Sequence, residues 1–217
     1  MAFHYSPKIV TDGLVLALDA ANRKSYPGSG TVWKDLSGKA NNGTLTNGPT
    51  FNTVTTGNVD QIDFDGTNDS VECTALTSTT FTNSVWMSVD TKNTNGIISW
   101  TVGTVRRELL FVAGDISIVY GSSKYKRGPV ISNGVWTNVV GTYDGTTPLI
   151  YVNGVSQTLG SELAAGAGLA DKCYIARIAY STPYYFNGKM ANVLIYNKAL
   201  TATEVLQNYN ATKTRFI

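Results

Sequence analysis

The chain has 217 residues, of which 42% are hydrophobic and 15% charged, and its net charge is +2. That apolar fraction supports a packed core and argues against disorder. The near-balanced charge gives no electrostatic case for a nucleic-acid partner, and no apolar run approaches the roughly 18 residues of a membrane helix.

Residues 1–13 carry no charged-then-apolar leader, so the expectation is synthesis in a host cytoplasm without a secretory signal. They are expected to form an N-terminal arm, with a single domain over 14–217. His4, the only histidine, falls in that arm, so neither a histidine-based triad nor a zinc site can be assembled around it. Beyond the arm, short apolar or alternating runs recur at 14–18, 61–64, 84–89, 109–112, 116–120, 136–143, 149–152, 174–178 and 190–196. Their β-branched and aromatic content is that of strands. Asn-Gly pairs at 42–43, 47–48, 95–96, 133–134, 153–154 and 187–188, and Asp-Gly pairs at 12–13, 65–66 and 144–145, punctuate them. Such pairs tolerate the positive φ angles of tight hairpin turns. Many short strands with regular turn signals indicate an all-β sandwich or barrel.

Within this pattern Trp86 and Trp136 are expected as core anchors, while Trp33 and Trp100 are open to either core packing or ligand stacking. Cys73 and Cys173 lack metal-ligand spacing and are expected to be reduced, half-buried thiols. Lys124, Lys126 and Arg127 read as a solvated loop, and 164–170 as a Gly/Ala-rich loop. Thr201 to Glu204 has the form of a capping box, which predicts a short helix ending near Asn210, with Val205, Leu206 and Tyr209 on one face.

Four segments together resemble the laminin-G-like jelly rolls of the concanavalin A-like lectin/glucanase superfamily. They are 62–71 (IDFDGTNDSV), 81–87 (FTNSVWM), 134–145 (GVWTNVVGTYDG) with 150–154 (IYVNG), and 186–197 (FNGKMANVLIYN) with 199–204 (ALTATE). The resemblance implies two antiparallel sheets packed face to face, with a short C-terminal helix. A narrower resemblance links 6–16, 25–28, 33–38, 196–200 and 207–211 to jelly-roll proteins of tailed phages. It implies a virion structural protein at the particle surface, as capsid decoration, fibre or tail appendage. Other virion proteins, further copies of itself in a homo-oligomer and host surface glycans are its expected partners. The alternative is a carbohydrate-binding module with no role in a virion.

A glycan hydrolase is the third reading and the weakest. It needs two carboxylates about 5–9 Å apart. In laminarinase-like relatives these lie in a Glu-x-Asp-x-x-Glu pattern, which none of Glu72, Glu108, Glu162 and Glu204 begins. Calcium is the one cofactor to consider. Asp63, Asp65, Asn68 and Asp69 cluster at one turn, with Asp65 and Asp69 the best ligands, although the same residues are ordinary turn formers. The acidic residue that relatives often carry after the Phe-Asn-Gly-Lys-hydrophobic stretch is replaced here by Ala191-Asn192. For a glycan or an interface, the candidates are Tyr184, Tyr185 and Phe186 after Pro183, together with Tyr125; Tyr120 and Tyr143 are further aromatics.

Overall fold

The computed structural model describes residues 7–53, 59–121 and 124–217. His4 and Ser6 lie outside the described residues. In chain order the strands are β1 (Leu14–Asp19), β2 (Val32–Trp33), β3 (Gly43–Thr46), β4 (Thr50–Asn52), β5 (Gln61–Asp65) and β6 (Ser70–Cys73). Then come β7 (Phe81–Thr91), β8 (Asn95–Val102), β9 (Val105–Val112), β10 (Asp115–Tyr120), β11 (Lys124–Arg127) and β12 (Thr137–Tyr143). The last are β13 (Pro148–Val152), β14 (Val155–Ser156), β15 (Leu163–Ala164), β16 (Cys173–Ile175) and β17 (Asn187–Tyr196), followed by helix α1 (Ala202–Thr212).

They build two antiparallel sheets. One has the order β14-β13-β12-β7-β17-β5-β4, with β1 also paired to β17; the other has the order β15-β11-β10-β9-β8-β16-β6-β3-β2. One core fills the space between them. From the first sheet it takes Val85, Met87, Val89 and Val193; from the second it takes Ile98, Trp100, Leu109, Phe111 and Ile118. In β7 the odd residues from Phe81 to Val89 face this core, because successive side chains of a strand point to opposite faces. One polar member of that row, Asn83, accepts a hydrogen bond from the Trp100 indole at 3.0 Å, while its amide nitrogen is buried without a partner.

The tryptophans meet the expectation only in part. Trp33 and Trp100 are the ones enclosed between the sheets. Trp86 is 1% exposed but lies on the outer face of the first sheet, stacked on Tyr209 and Phe216. Trp136 is only half-buried, beside Phe216. Parity is the reason: Trp86 alternates with the core-facing Val85 and Met87.

Of the Asn-Gly pairs, Asn47-Gly48 and Asn153-Gly154 are turns with positive φ at both residues. Asn95-Gly96 and Asn187-Gly188 lie inside strands instead. At Gly96 a β-carbon would sit 2.2 Å from the Arg177 carbonyl carbon, so the glycine permits a close backbone approach rather than a turn. Lys124 to Arg127 forms strand β11 near the end of the second sheet rather than a loop; charged side chains near a sheet edge discourage further pairing. The helix begins at the expected cap, with the Thr201 hydroxyl accepting from the Glu204 N–H and the Glu204 carboxylate accepting from the Thr201 N–H. Its buried residues are Val205, Asn208 and Thr212, whereas Leu206 is 46% exposed. Asn208 turns inward because it is bonded twice: it donates to the Tyr196 hydroxyl and accepts from the Val10 N–H. Residues 8–13 are accordingly held against the domain.

Candidate functional site: an aromatic cleft at one end of the sandwich

Strand β16 leads into a loop that returns through Phe186 to β17. Backbone bonds fix this loop: the Tyr184 carbonyl accepts from the N–H groups of Gly96 and Ile178, and the Phe186 N–H donates to the Ala176 carbonyl. The Asn95 side-chain amide donates to the Tyr185 carbonyl at 3.0 Å. A single bridge pairs Arg177 with Tyr185, and the Arg177 guanidinium lies 4.3 Å from the Tyr174 ring centroid and 5.8 Å from that of Tyr185.

This loop divides its three aromatics. Tyr184 is 45% exposed and Tyr185 half-buried, but Phe186 is fully buried, edge-on to Phe64 at 6.3 Å. Phe186 was expected at a ligand or interface surface; the alternation of side chains puts it in the core, where no ligand reaches it. Tyr120 is likewise buried, donating to Glu162.

Two cavities meet at Tyr184. The first is a polar cleft of ≈ 500 Å³ bounded by Tyr184, Tyr185, Asn93, Asn95, Gly66 and Thr67. The second, ≈ 200 Å³, is apolar and lies on the outer face of the second sheet, with Tyr125, Tyr180, Val119 and Ile178 in its wall. Both also share Thr94. Thus the fold gathers Tyr125, Tyr184, Tyr185 and the 65–69 turn at one end of the molecule, although they are far apart in sequence. Thr94, Asn95 and Tyr180 escaped sequence reading. Asn95-Gly96 looked like a turn, and nothing local marks Tyr180 as a neighbour of Tyr125.

Below the apolar cavity runs a buried polar chain. Glu108 is 0% exposed and is bonded to the Arg106 guanidinium and the Ser99 hydroxyl. Ser99 in turn accepts from the Ala179 N–H at 2.7 Å. The Arg106 guanidinium lies 5.5 Å from the Tyr180 ring centroid.

The acidic turn is closed by its own groups. Asp65 Oδ1 accepts from the N–H of Thr67 at 2.7 Å and of Asn68 at 3.4 Å, and Asp69 Oδ2 accepts from the Asp65 N–H at 3.1 Å. The Thr67 N–H holds the Asp65 carboxyl below its usual range, while burial pushes Asp69 up. Asp65 and Asp69 are therefore brought together, but by turn hydrogen bonds. Among the described residues no three acidic, His or Cys side chains converge on a point a metal could occupy.

Trp136 is a surface residue that sequence reading assigned to the core. It borders a separate small pocket of ≈ 180 Å³ with Gln61, Ser88 and Lys189.

A two-sheet jelly roll with an aromatic and amide-lined cleft belongs to the lectin-like class of β-sandwiches. The chain is a member of the concanavalin A-like lectin/glucanase superfamily: the model of its laminin-G-type family matches residues 65–206. No curated protein matches it. Among solved structures, a Trypanosoma rangeli sialidase mutant displaying trans-sialidase activity is similar at TM-score 0.69 and 17% identity, over 96% of this chain and 34% of that one. This chain thus spans about a third of the sialidase's length. Domain 4 of AbnA, an extracellular GH43 arabinanase from Geobacillus stearothermophilus solved with arabinotriose, is similar at TM-score 0.64 and 17% identity, over 90% of this chain and 98% of that one. The binding domain of Paraclostridial Mosquitocidal Protein 1 is similar at TM-score 0.63 and 15% identity, over 93% of this chain and 52% of that one.

Proposed function

We propose that this chain is a non-catalytic glycan-binding jelly roll whose ligand lies in the Tyr184 cleft. The observation that carries this reading is the exposed Tyr184 ring, fixed by backbone bonds where a polar cleft with Asn and Thr groups meets an apolar cavity. Sugars offer apolar C–H faces and hydroxyl edges, and such a wall serves both. A neighbour of the same extent, the AbnA domain, holds arabinotriose. The glutamates support a binding role rather than hydrolysis. Glu108 is buried against Arg106, Glu204 caps a helix, and Glu72 and Glu162 pair with Lys172 and Lys124. The test is a glycan array that includes arabinotriose, read with the native chain and with Tyr185→Ala. Retention of one glycan class that the variant loses supports the reading. Release of reducing sugar, abolished by a single Asp or Glu substitution, overturns it.

A second reading places the domain on a virion surface, as a decoration, fibre or appendage that assembles with other virion proteins or with its own copies. The segments resembling tailed-phage proteins support it, and the fold brings the N-terminal and C-terminal ones into contact. The Gln207 amide donates to the Lys8 carbonyl, the Tyr196 hydroxyl donates to the Val10 carbonyl, and Lys198 pairs with Asp12. Mass spectrometry of density-purified particles checks it. Absence of the chain from particles that form in its presence rules the placement out.

A further inference from the structure

The two cysteines lie a hundred positions apart, yet the fold sets them face to face. Strands β6 and β16 pair antiparallel with Val71 opposite Ile175 and Glu72 opposite Tyr174. One step further, where β6 ends and β16 begins, the register puts Cys73 opposite Cys173. Directly opposed residues of an antiparallel pair project from the same face. Both cysteines belong to the core between the sheets, and their thiols are hydrogen-bonded to each other. On its other side Cys73 faces Gly43, so no second cross-strand side chain competes for the sulfur.

We propose that Cys73 and Cys173 are a site of covalent modification, closing into an intrachain disulfide when the chain folds in the presence of a disulfide oxidant such as glutathione disulfide. Facing residues in such a ladder have Cα atoms about 4.5 or about 5.5 Å apart, depending on the hydrogen-bonding position. Both spacings fall within the roughly 4.4–6.8 Å that a disulfide spans, so the bond forms without moving either strand. The two thiols give up two protons and two electrons and one S–S bond forms. The S–S bond of the oxidant breaks and leaves two glutathione thiols, by way of a mixed disulfide.

Timing follows from the surroundings. Hydrogen bonding to Cys173, and then burial, holds the Cys73 thiol well above its usual range, and the thiolate is the attacking species. The folded, reduced protein is therefore slow to react, and the bond is made while the strands are still assembling. Once made, it is enclosed and protected from reductant. It ties together the two strands that lead to opposite walls of the cleft. β6 follows the 65–69 turn, and β16 precedes the Tyr184 loop.

The experiment is to refold the reduced, denatured chain in glutathione with glutathione disulfide, remove small molecules, and count thiols with an aromatic disulfide reagent in guanidinium. The expected result is no titratable thiol, a monomer two hydrogens lighter than the dithiothreitol-treated chain, and a Tm that falls by about 10 °C on reduction. A Cys173→Ser chain then has a Tm indifferent to dithiothreitol. The thiol count and the mass need only the native chain, so a poorly folding variant leaves the test intact. Two free thiols after refolding, a glutathione adduct on either cysteine, or a disulfide-linked dimer overturns the proposal.

Discussion

Trp86 and Phe216 stack with their ring centroids 4.1 Å apart and their planes 7° from parallel. The contact joins the central strand of one sheet to a residue one position from the C-terminal Ile217. Tyr209 stacks on the same indole at 5.7 Å, and the indole N–H donates to the Thr212 hydroxyl at 2.8 Å. The C-terminal segment is thus a lid over a tryptophan that would otherwise face solvent. Phe216→Ala is expected to cost about 2 kcal/mol, less than a fully enclosed phenylalanine because Phe216 is half-buried. The measurable outcome is a Tm lowered by about 5 °C, with tryptophan emission shifted to the red. Unchanged emission would mean that Trp86 is shielded without the ring.

Tyr184 and Phe186 are two residues apart and are expected to respond in opposite ways. Tyr184→Ala removes an exposed ring from the cleft, so the Tm stays within about 1 °C while affinity for the ligand class found on the array falls about tenfold. Phe186→Ala empties a fully buried position against Phe64. It costs about 3–5 kcal/mol of stability and changes affinity only through the fraction folded. Isothermal titration and thermal unfolding on the same samples separate the two.

The capping box gives an acid-sensitive contribution with a definite sign. The Lys198 ammonium, and then the Thr201 N–H, hold the Glu204 carboxyl below its usual range. A depressed carboxyl binds fewer protons in the folded state than in the unfolded one. Its contribution is therefore complete above the unfolded value of about 4.3 and is lost as pH falls through the folded value. In Glu204→Gln the difference in Tm from the native chain should shrink as pH drops below about 4. Thr201→Ala removes the N-cap acceptor and should cost about 1 kcal/mol at neutral pH. A deficit for Glu204→Gln that grows on acidification would contradict this assignment.

How far the sequence led differs between local and non-local features. The capping box and the strand character of 84–89 and 190–196 depend on neighbouring residues alone, and both appear as read. Strand parity did not: Trp86 looks like a core residue by size, but its face is decided by Val85 and Met87 on either side. Asn208 is buried because Val10 and Tyr196, far away in the chain, supply its hydrogen bonds. A search for apolar helical faces selects Leu206 in its place. The cleft was legible residue by residue, through Tyr125, Tyr184 and Tyr185, but not as a site. Its walls come together only once β16 pairs with both β6 and β8. The facing of Cys73 and Cys173 was hidden for the same reason.

The buried carboxylate of Glu108 links this assembly to binding. Arg106 and Ser99 are its partners, and Ser99 holds the Ala179 N–H in the segment that leads to Tyr184. Glu108→Leu leaves the guanidinium of Arg106, a residue only 8% exposed, without its counter-charge. Losing one partner of a buried pair is expected to cost about 3–5 kcal/mol. Replacing both, in Arg106→Met with Glu108→Leu, removes the stranded charge and should return most of that stability. It does not restore the acceptor for the Ser99 hydroxyl, so the loop stays less firmly held. The double variant is therefore expected to melt near the native chain and yet bind glycan several-fold more weakly. Urea titration beside isothermal titration reads both quantities. Full recovery of affinity along with stability would show that the ion pair only supports the sheet and takes no part in positioning the Tyr184 loop.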